Sequence, residues 1–265
     1  MLDLIRVSKT FHPGTINEKK ALADLDLHLD DGDFVTVIGG NGAGKSTLLN
    51  AVAGVWPVDK GSILVDGTDV TGLAEHKRAA FIGRVFQDPM TGTAPNMQLE
   101  ENLALAARRG KRRGLGWGVT NAEREEFHER LKILGLGLED RLTVKVGLLS
   151  GGQRQALTLL MAAMQNPKLL LLDEHTAALD PATAKKVLEI SDQIVRENSL
   201  TTLMITHNMK DAIAHGNRLI MMNEGKVILD VAGEEKRHLT VKDLMDRFAA
   251  IAGETIDSDE VLLTK

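Results

Sequence analysis

The 265-residue sequence has no cysteine and no tyrosine. Without thiols it can build neither disulfides nor thiolate metal centres, which fits a reducing compartment. It also has no long apolar run. LTLLMAAM at 157–164 is among its longest, far short of the ~20 residues that a membrane-crossing helix needs. The opening MLDLIRVSKTF mixes charges with its apolar residues and has no signal-peptide core. There is no basic excess: the formal net charge is −5 and the pI about 5.9, so nothing global points to nucleic acid. Internal repeats, low-complexity segments and heptad arrays are absent too. What remains is ordinary soluble composition, 43% apolar and 26% charged, enough for a real core. The expectation is a cytoplasmic protein whose membrane role, if any, comes through a partner.

Residues 2–36 read as short strands around a Pro13-Gly14 turn. In ALADLDLHL the leucines at 22, 25, 27 and 29 nearly alternate with acids and a histidine, as in a half-buried antiparallel strand. DFVTVIGG (33–40) is a β-branched run feeding glycines, as a buried strand feeds a loop. A helix follows from Lys45 to near Gly54, and GSILVDGTDVTG and RAAFIGRVFQD add strands and turns. Helical spacing dominates from about Leu99 to Gln165, broken by RRGKRRGLGWG. Beyond it, KLLLLDE, a helix from about Pro181 to Asn198, TTLMITH, a short helix from about Met209, RLIMMNEG and KVILD alternate strand with helix. That alternation predicts a largely parallel α/β sheet. A last helix starts at Thr240, with Asp243 at capping-box spacing and Val241, Leu244, Met245, Phe248 and Ile251 on one face.

GGNGAGKS (39–46) matches the P-loop pattern, between a buried strand and a helix. Its glycines let backbone N–H groups turn toward phosphate oxygens, and the helix N-terminus adds positive potential. Gly39, Asn41, Gly42, Ala43, Gly44 and Thr47 form the cradle. Lys45 reaches the terminal phosphates, and Ser46 ligates Mg²⁺.

LLLLDEHTAALDP (169–181) sets four leucines against two acids. In extended backbone neighbouring side chains point to opposite faces, so Asp173 and Glu174 are assigned different tasks. Register favours Asp173 on the metal side and Glu174 as general base toward water. LSGGQRQ (149–155) opens a helix with a capping Ser150, a second anion-binding start. One γ-phosphate can be enclosed by both starts if the second comes from another copy of the chain.

This ordered set resembles the ATP-binding cassette (ABC) family over about residues 2–231. The elements are a P-loop at 39–46, Gln87 in VFQDP, LSGGQ at 149–153, acids ending 169–174, an Ala-Leu-Asp loop at 178–180, and His207 in ITHNM. The resemblance implies a P-loop NTPase core with a largely parallel sheet, an N-terminal antiparallel β sub-domain and an inserted helical sub-domain at about 90–165. The cassette is expected over 1–235, followed by a helical tail over 236–265. Gln87 is implied to ligate Mg²⁺ and sense the γ-phosphate. Ser150, Gly151, Gly152 and Gln153 are implied to clamp the opposing chain's ATP, and Asp180 to link the two sites. His207 is implied to contact the γ-phosphate and orient water with Glu174. Phe11 stands as the only aromatic suitably placed to stack on adenine. His175, where many members have proline or a small residue, is read as structural. His12, His28, His76, His128, His215 and His238 show no ligand spacing, so no metal beyond nucleotide Mg²⁺ is expected.

The resemblance implies an ATPase subunit working as a head-to-tail homodimer on the inner face of the membrane. It would serve separate permease subunits and an extracytoplasmic solute-binding protein, importing a small solute such as an amino acid. An exporter subunit and a soluble ABC ATPase acting on nucleic acid or ribosomes are the alternatives. LSGGQ and His207 argue against an unrelated kinase or GTPase. The segment DPMTGTAPNMQLEEN after Gln87 is the expected partner surface, and the basic run ARRGKRRG (107–114) with Trp117 is read as a solvated loop rather than a headgroup contact.

Overall fold

A computed structural model describes residues 1–111 and 118–252. In chain order the elements are β1 (Leu2–Phe11), β2 (Lys19–Leu29), β3 (Phe34–Ile38), α1 (Lys45–Ala53), β4 (Lys60–Val65), β5 (Thr68–Asp69), α2 (Glu75–Arg78) and β6 (Ile82–Val85). Then come α3 (Leu99–Ala107), α4 (Asn121–Lys132), α5 (Gly151–Ala163), β7 (Leu169–Asp173), α6 (Pro181–Glu197) and β8 (Thr201–Ile205). The series ends with α7 (Met209–Ala214), β9 (Arg218–Asn223), β10 (Lys226–Ala232), α8 (Gly233–Arg237) and α9 (Val241–Ala252). They fall into two compact units: Met1–Arg78 with the chain from Thr201 onward, and Ala79–Leu200. The expected helical sub-domain, about 90–165, lies within the second.

In the first unit, β2, β1, β4 and β5 form an antiparallel sheet in that order. Leu25, Leu27 and Leu29 of β2 are buried and the intervening Asp26 and His28 exposed, as alternation predicts. The strict alternation fails nearer the start of β2, where Ala21, Leu22 and Ala23 are all buried. There the β1–β2 register shifts around Val7, and Arg6 and Asp24 take φ of 47° and 50°. Local carboxylates pin this bulge: Arg6 N donates to Asp26 at 2.8 Å and Ser8 Oγ to Asp24 at 2.9 Å.

The same unit carries a second sheet segment in which β3 runs parallel to β8 and to β9, with β10 antiparallel on β9. All five residues of β3 and all five of β8 are buried, the signature of strands covered on both faces. The tail helix α9 docks here. Its capping box forms, with Thr240 N donating to Asp243 at 2.8 Å and Asp243 N to Thr240 Oγ1 at 3.2 Å. Leu244 is fully buried among Ile38, Leu219, Met221 and Val231, with Phe248 packed alongside. Burying one such leucine stabilises by about 1.5–3 kcal/mol. The side chain of Ile251 and residues 253–265 lie outside the described part.

In the second unit β6 pairs parallel with β7, and Leu169 to Leu172 are wholly buried. α6 buries Val187, Leu188, Ile190, Ser191, Ile194 and Val195 along one stripe, and it starts at an Asp180 cap followed by Pro181. Arg112, Arg113, Gly114 and Trp117 of the basic run lie outside the described residues. Two of its other arginines are used internally. Arg108 pairs with Glu123 at 2.7 Å, and Arg109, whose pKa is lowered by burial, donates to Ala162 O at 3.1 Å. Among the described residues no helix is long and apolar enough to cross a membrane.

Candidate functional site

In each unit several of the predicted residues follow the carboxyl ends of parallel strands, where open α/β sheets present loops to ligands. In the first unit, β3 ends at Ile38 and the glycine loop follows; β8 ends at Ile205 and His207 follows. Val37 and Ile205 are register partners, and Thr206 N donates to Val37 O at 3.2 Å. The two functional segments therefore leave the sheet side by side. His207 is exposed, between the end of β8 and Asn208, whose side chain caps α7 through the Lys210 and Asp211 amides. Burial raises the Asp211 carboxyl above its ordinary pKa, with the His215 and His207 charges opposing it.

The loop is held by the protein's own hydrogen bonds. Ala43 O accepts from Gly225 N at 2.9 Å, and Lys45 Nζ donates to Gly39 O at 2.6 Å and Gly40 O at 3.2 Å. Gly44, the N-cap of α1, has φ 102°, and a Cβ there would stand 2.4 Å from Ala21 O. Only glycine fits this turn. Its consequence is chemical: Gly44 offers no side-chain oxygen to cap α1. The first amides of α1 therefore lack the usual capping oxygen, and an anion can take its place. Asn41, Gly42 and Ser46 are exposed around this opening, while Ala43 and Thr47 are buried behind it.

Phe11, at the end of β1, is not the lone aromatic that sequence reasoning expected. Trp56, just past α1, packs against it at 4.9 Å between centroids and 81° between planes. The pair is anchored: Asp59 accepts from Thr10 N at 2.6 Å and pairs with Lys9 at 3.0 Å, and Lys9 Nζ lies 5.6 Å from the Phe11 centroid. Trp56 lies 45 positions from Phe11 in sequence, and no local pattern marks it as a partner.

In the second unit, Gln87 follows β6 and is exposed, and Asp173 ends β7. Extended backbone, expected to turn the two acids to opposite faces, does not reach Glu174. The strand stops at Asp173, and Glu174 takes φ 43°, in the left-handed region. A backbone turn, not strand alternation, sets Glu174 apart from Asp173. Such a strained position in a non-glycine residue is a recurrent mark of functional sites.

Asp173 also has a partner that sequence reasoning missed. Arg84 Nη2 lies 3.2 Å from its Oδ2, with both side chains mostly buried at 13% and 17% exposure. Burial raises the Asp173 carboxyl, and the Arg84 charge opposes that rise. The guanidinium also lies 4.5 Å from the Phe86 ring centroid. A charge inside an otherwise apolar strand was the available signal, since buried charges come paired.

His175 is only 1% exposed. Ser191 Oγ donates to Val187 O at 2.8 Å, so it accepts from His175 Nε2–H at 2.9 Å. The histidine is thereby bonded into the buried face of α6. Its replacement by alanine is expected to cost about 2–4 kcal/mol, from the cavity and the lost hydrogen bond to Ser191. Thermal melts should fall while kcat is unchanged; a large kcat loss at unchanged stability would make His175 part of the chemistry.

The start of α5 is capped. Ser150 Oγ accepts from Gln153 N at 3.3 Å, and Gln153 Oε1 accepts from Ser150 N at 3.1 Å. Accepting leaves the Ser150 O–H able to donate outward. Gly152 lies so close to α6 that a Cβ on it would stand 2.1 Å from Thr183 Cγ2. Asp180 caps α6 by accepting from Thr183 N at 3.1 Å, and hydrogen bonds from the Thr183 side chain and amide lower its pKa. Two further residues tie this helix to the Gln87 loop. Gln155 Nε2 donates to Phe86 O at 3.0 Å, while Arg154 donates to Val146 O, Gly147 O and the Met90 sulfur.

A family model described as ABC transporter matches residues 22–177. The "Tyrosine transport ATP-binding protein" of Clostridioides difficile (strain R20291) is 47% identical over 249 residues, 94% of this chain and 98% of that protein. The "Phosphonates import ATP-binding protein PhnC" of Lactococcus lactis subsp. cremoris (strain SK11) is 32% identical over 255 residues, 93% and 97% of the respective chains. A solved structure described as the dimeric post-hydrolysis state of the ATP-binding cassette MJ0796 bound to ADP and Pi is similar with a TM-score of 0.74. It is 30% identical and covers 88% of this chain and 98% of that one. A P-loop NTPase fold, a nucleotide-ready α1 and near full-length relatives agree: the chain belongs to the ABC transporter family.

Proposed function

We propose that the chain is the ATP-hydrolysing subunit of an importer, working as a head-to-tail homodimer under integral membrane permease subunits on the inner face of the membrane. The solute is an amino acid, tyrosine first, delivered by an extracytoplasmic solute-binding protein. The observation that carries this reading is 47% identity, along 98% of its length, to a tyrosine transport ATP-binding protein.

The residue roles follow from chemistry and family order. The α1 amides and Lys45 hold the ATP phosphates, with Gly39, Asn41, Gly42, Ala43, Gly44 and Thr47 shaping the loop. Ser46, Gln87 and Asp173 are hard oxygen donors and suit Mg²⁺, which would neutralise phosphate charge. Glu174 takes the proton of the attacking water, and His207 orients that water and the γ-phosphate. Ser150, Gly151, Gly152 and Gln153 clamp the ATP of the opposing copy, and Asp180 joins the two sites. ATP can drive a partner only if it binds the closed dimer more tightly than the open one.

The segment after Gln87 is the route to the permease. Met90 is 50% exposed and Arg154, next to the capped start of α5, bonds it directly. The start of α5 and the Gln87 segment therefore border the same surface.

Deleting the chain from its source cell should abolish ATP-dependent uptake of labelled tyrosine, and Glu174→Gln should not restore it. Unchanged tyrosine uptake alongside loss of another solute would overturn the substrate assignment.

Base stacking gives a second test. In a Trp117→Phe background Trp56 is the remaining tryptophan of the two. MgATP should change its emission, and Phe11→Ala should weaken ATP binding about tenfold, within the usual range for base–aromatic stacking. Silent emission with normal ATP binding would move the adenine off this pair.

A further inference from the structure

Lys19 opens β2 directly opposite Phe11 in the β1–β2 register. Its ammonium reaches over the glycine loop: a Cβ built on Gly42 would stand 2.9 Å from Lys19 Nζ. Gly42 itself has φ 80°, so the glycine permits the turn and leaves the space that the ammonium occupies. The neighbouring Lys20 is spent on Asp24 at 3.6 Å. Among the described residues no hydrogen bond or ion pair engages the Lys19 ammonium. Lys45, by contrast, is drawn to the Gly39 and Gly40 carbonyls at the start of the loop.

We propose that Lys19 is a second phosphate-binding cation of the nucleotide site, closing over the polyphosphate from the β2 side. Two observations fit one ligand. Directly opposed residues on antiparallel strands stand about 5 Å apart, so Phe11 and Lys19 span adjoining parts of it, base and phosphates. An unpaired ammonium held over backbone amides that already favour an anion adds to the same field. This inference rests on reading the glycine loop as the nucleotide site.

The test is calorimetric titration of the full chain with MgADP and, separately, with inorganic tripolyphosphate. Lys19→Met keeps the apolar stem of the side chain and removes its charge. It should raise both Kd values about tenfold at low salt, the scale of one charge-assisted hydrogen bond. The loss should shrink at high salt, where screening weakens partly exposed charges. Lys19→Arg should recover most of the affinity, and thermal melts check that both variants fold as the parent does. Wild-type Kd values in Lys19→Met, or equal losses in Lys19→Met and Lys19→Arg, would overturn the proposal. A parent chain that fails to bind MgADP would instead sink the nucleotide reading itself.

Discussion

Glu174→Gln is expected to lower ATP hydrolysis about 10³-fold, in the range that a positioned general base contributes, while ATP binding persists. The substitution is clean for a structural reason. Glu174 sits at φ 43° one residue beyond the end of β7, and glutamine is no better or worse than glutamate in that conformation. It also keeps size and hydrogen-bonding reach, so what is lost is the capacity to accept a proton. Single-turnover rates with pre-bound ATP separate the two steps. A variant hydrolysing at the parental rate would move the base elsewhere. Weak ATP binding would mean that Glu174 serves the ground state.

Gly152→Val carries the second large effect. The first carbon of any side chain at 152 would stand 2.1 Å from Thr183 Cγ2 in the first turn of α6. Either the Thr183 methyl must turn away or the helices must part, and overpacking of this kind costs about 1–3 kcal/mol. The fold survives such a cost, but the surface around Ser150 and Gly152, proposed to meet the opposing ATP, does not keep its shape. Hydrolysis should fall at least 100-fold, comparable to removal of one preorganised anion-stabilising contact. MgADP affinity should stay at the parental value, because the glycine loop that holds it is a different segment. Equal loss of MgADP binding would show that Gly152 belongs to the same nucleotide contact as Lys45.

Much of this site was legible because its signals are local. The β-branched run before Gly39, the capping Ser150, the Thr240–Asp243 spacing and the leucines of β7 each act within a few residues, and each forms the expected element. The misses have two physical origins. Partners distant in sequence leave no local trace: Arg84 and Asp173 are 89 positions apart, and Trp56 meets Phe11 only after β1 and α1 are packed. Backbone strain is the other, since nothing in the letters DEH announces a left-handed Glu174. Glu174 leaves the line of Asp173 through a turn rather than a pleat. His175 was legible as structural, though its Ser191 partner was not.

The most direct test of the account is the solution mass of Glu174→Gln by analytical ultracentrifugation with ATP, with ADP and without nucleotide. With ATP the account predicts a species of twice the 28.8 kDa chain mass, with monomer in the other two conditions. A variant that stays monomeric under saturating ATP and still turns it over would contradict the claim that two copies enclose each nucleotide.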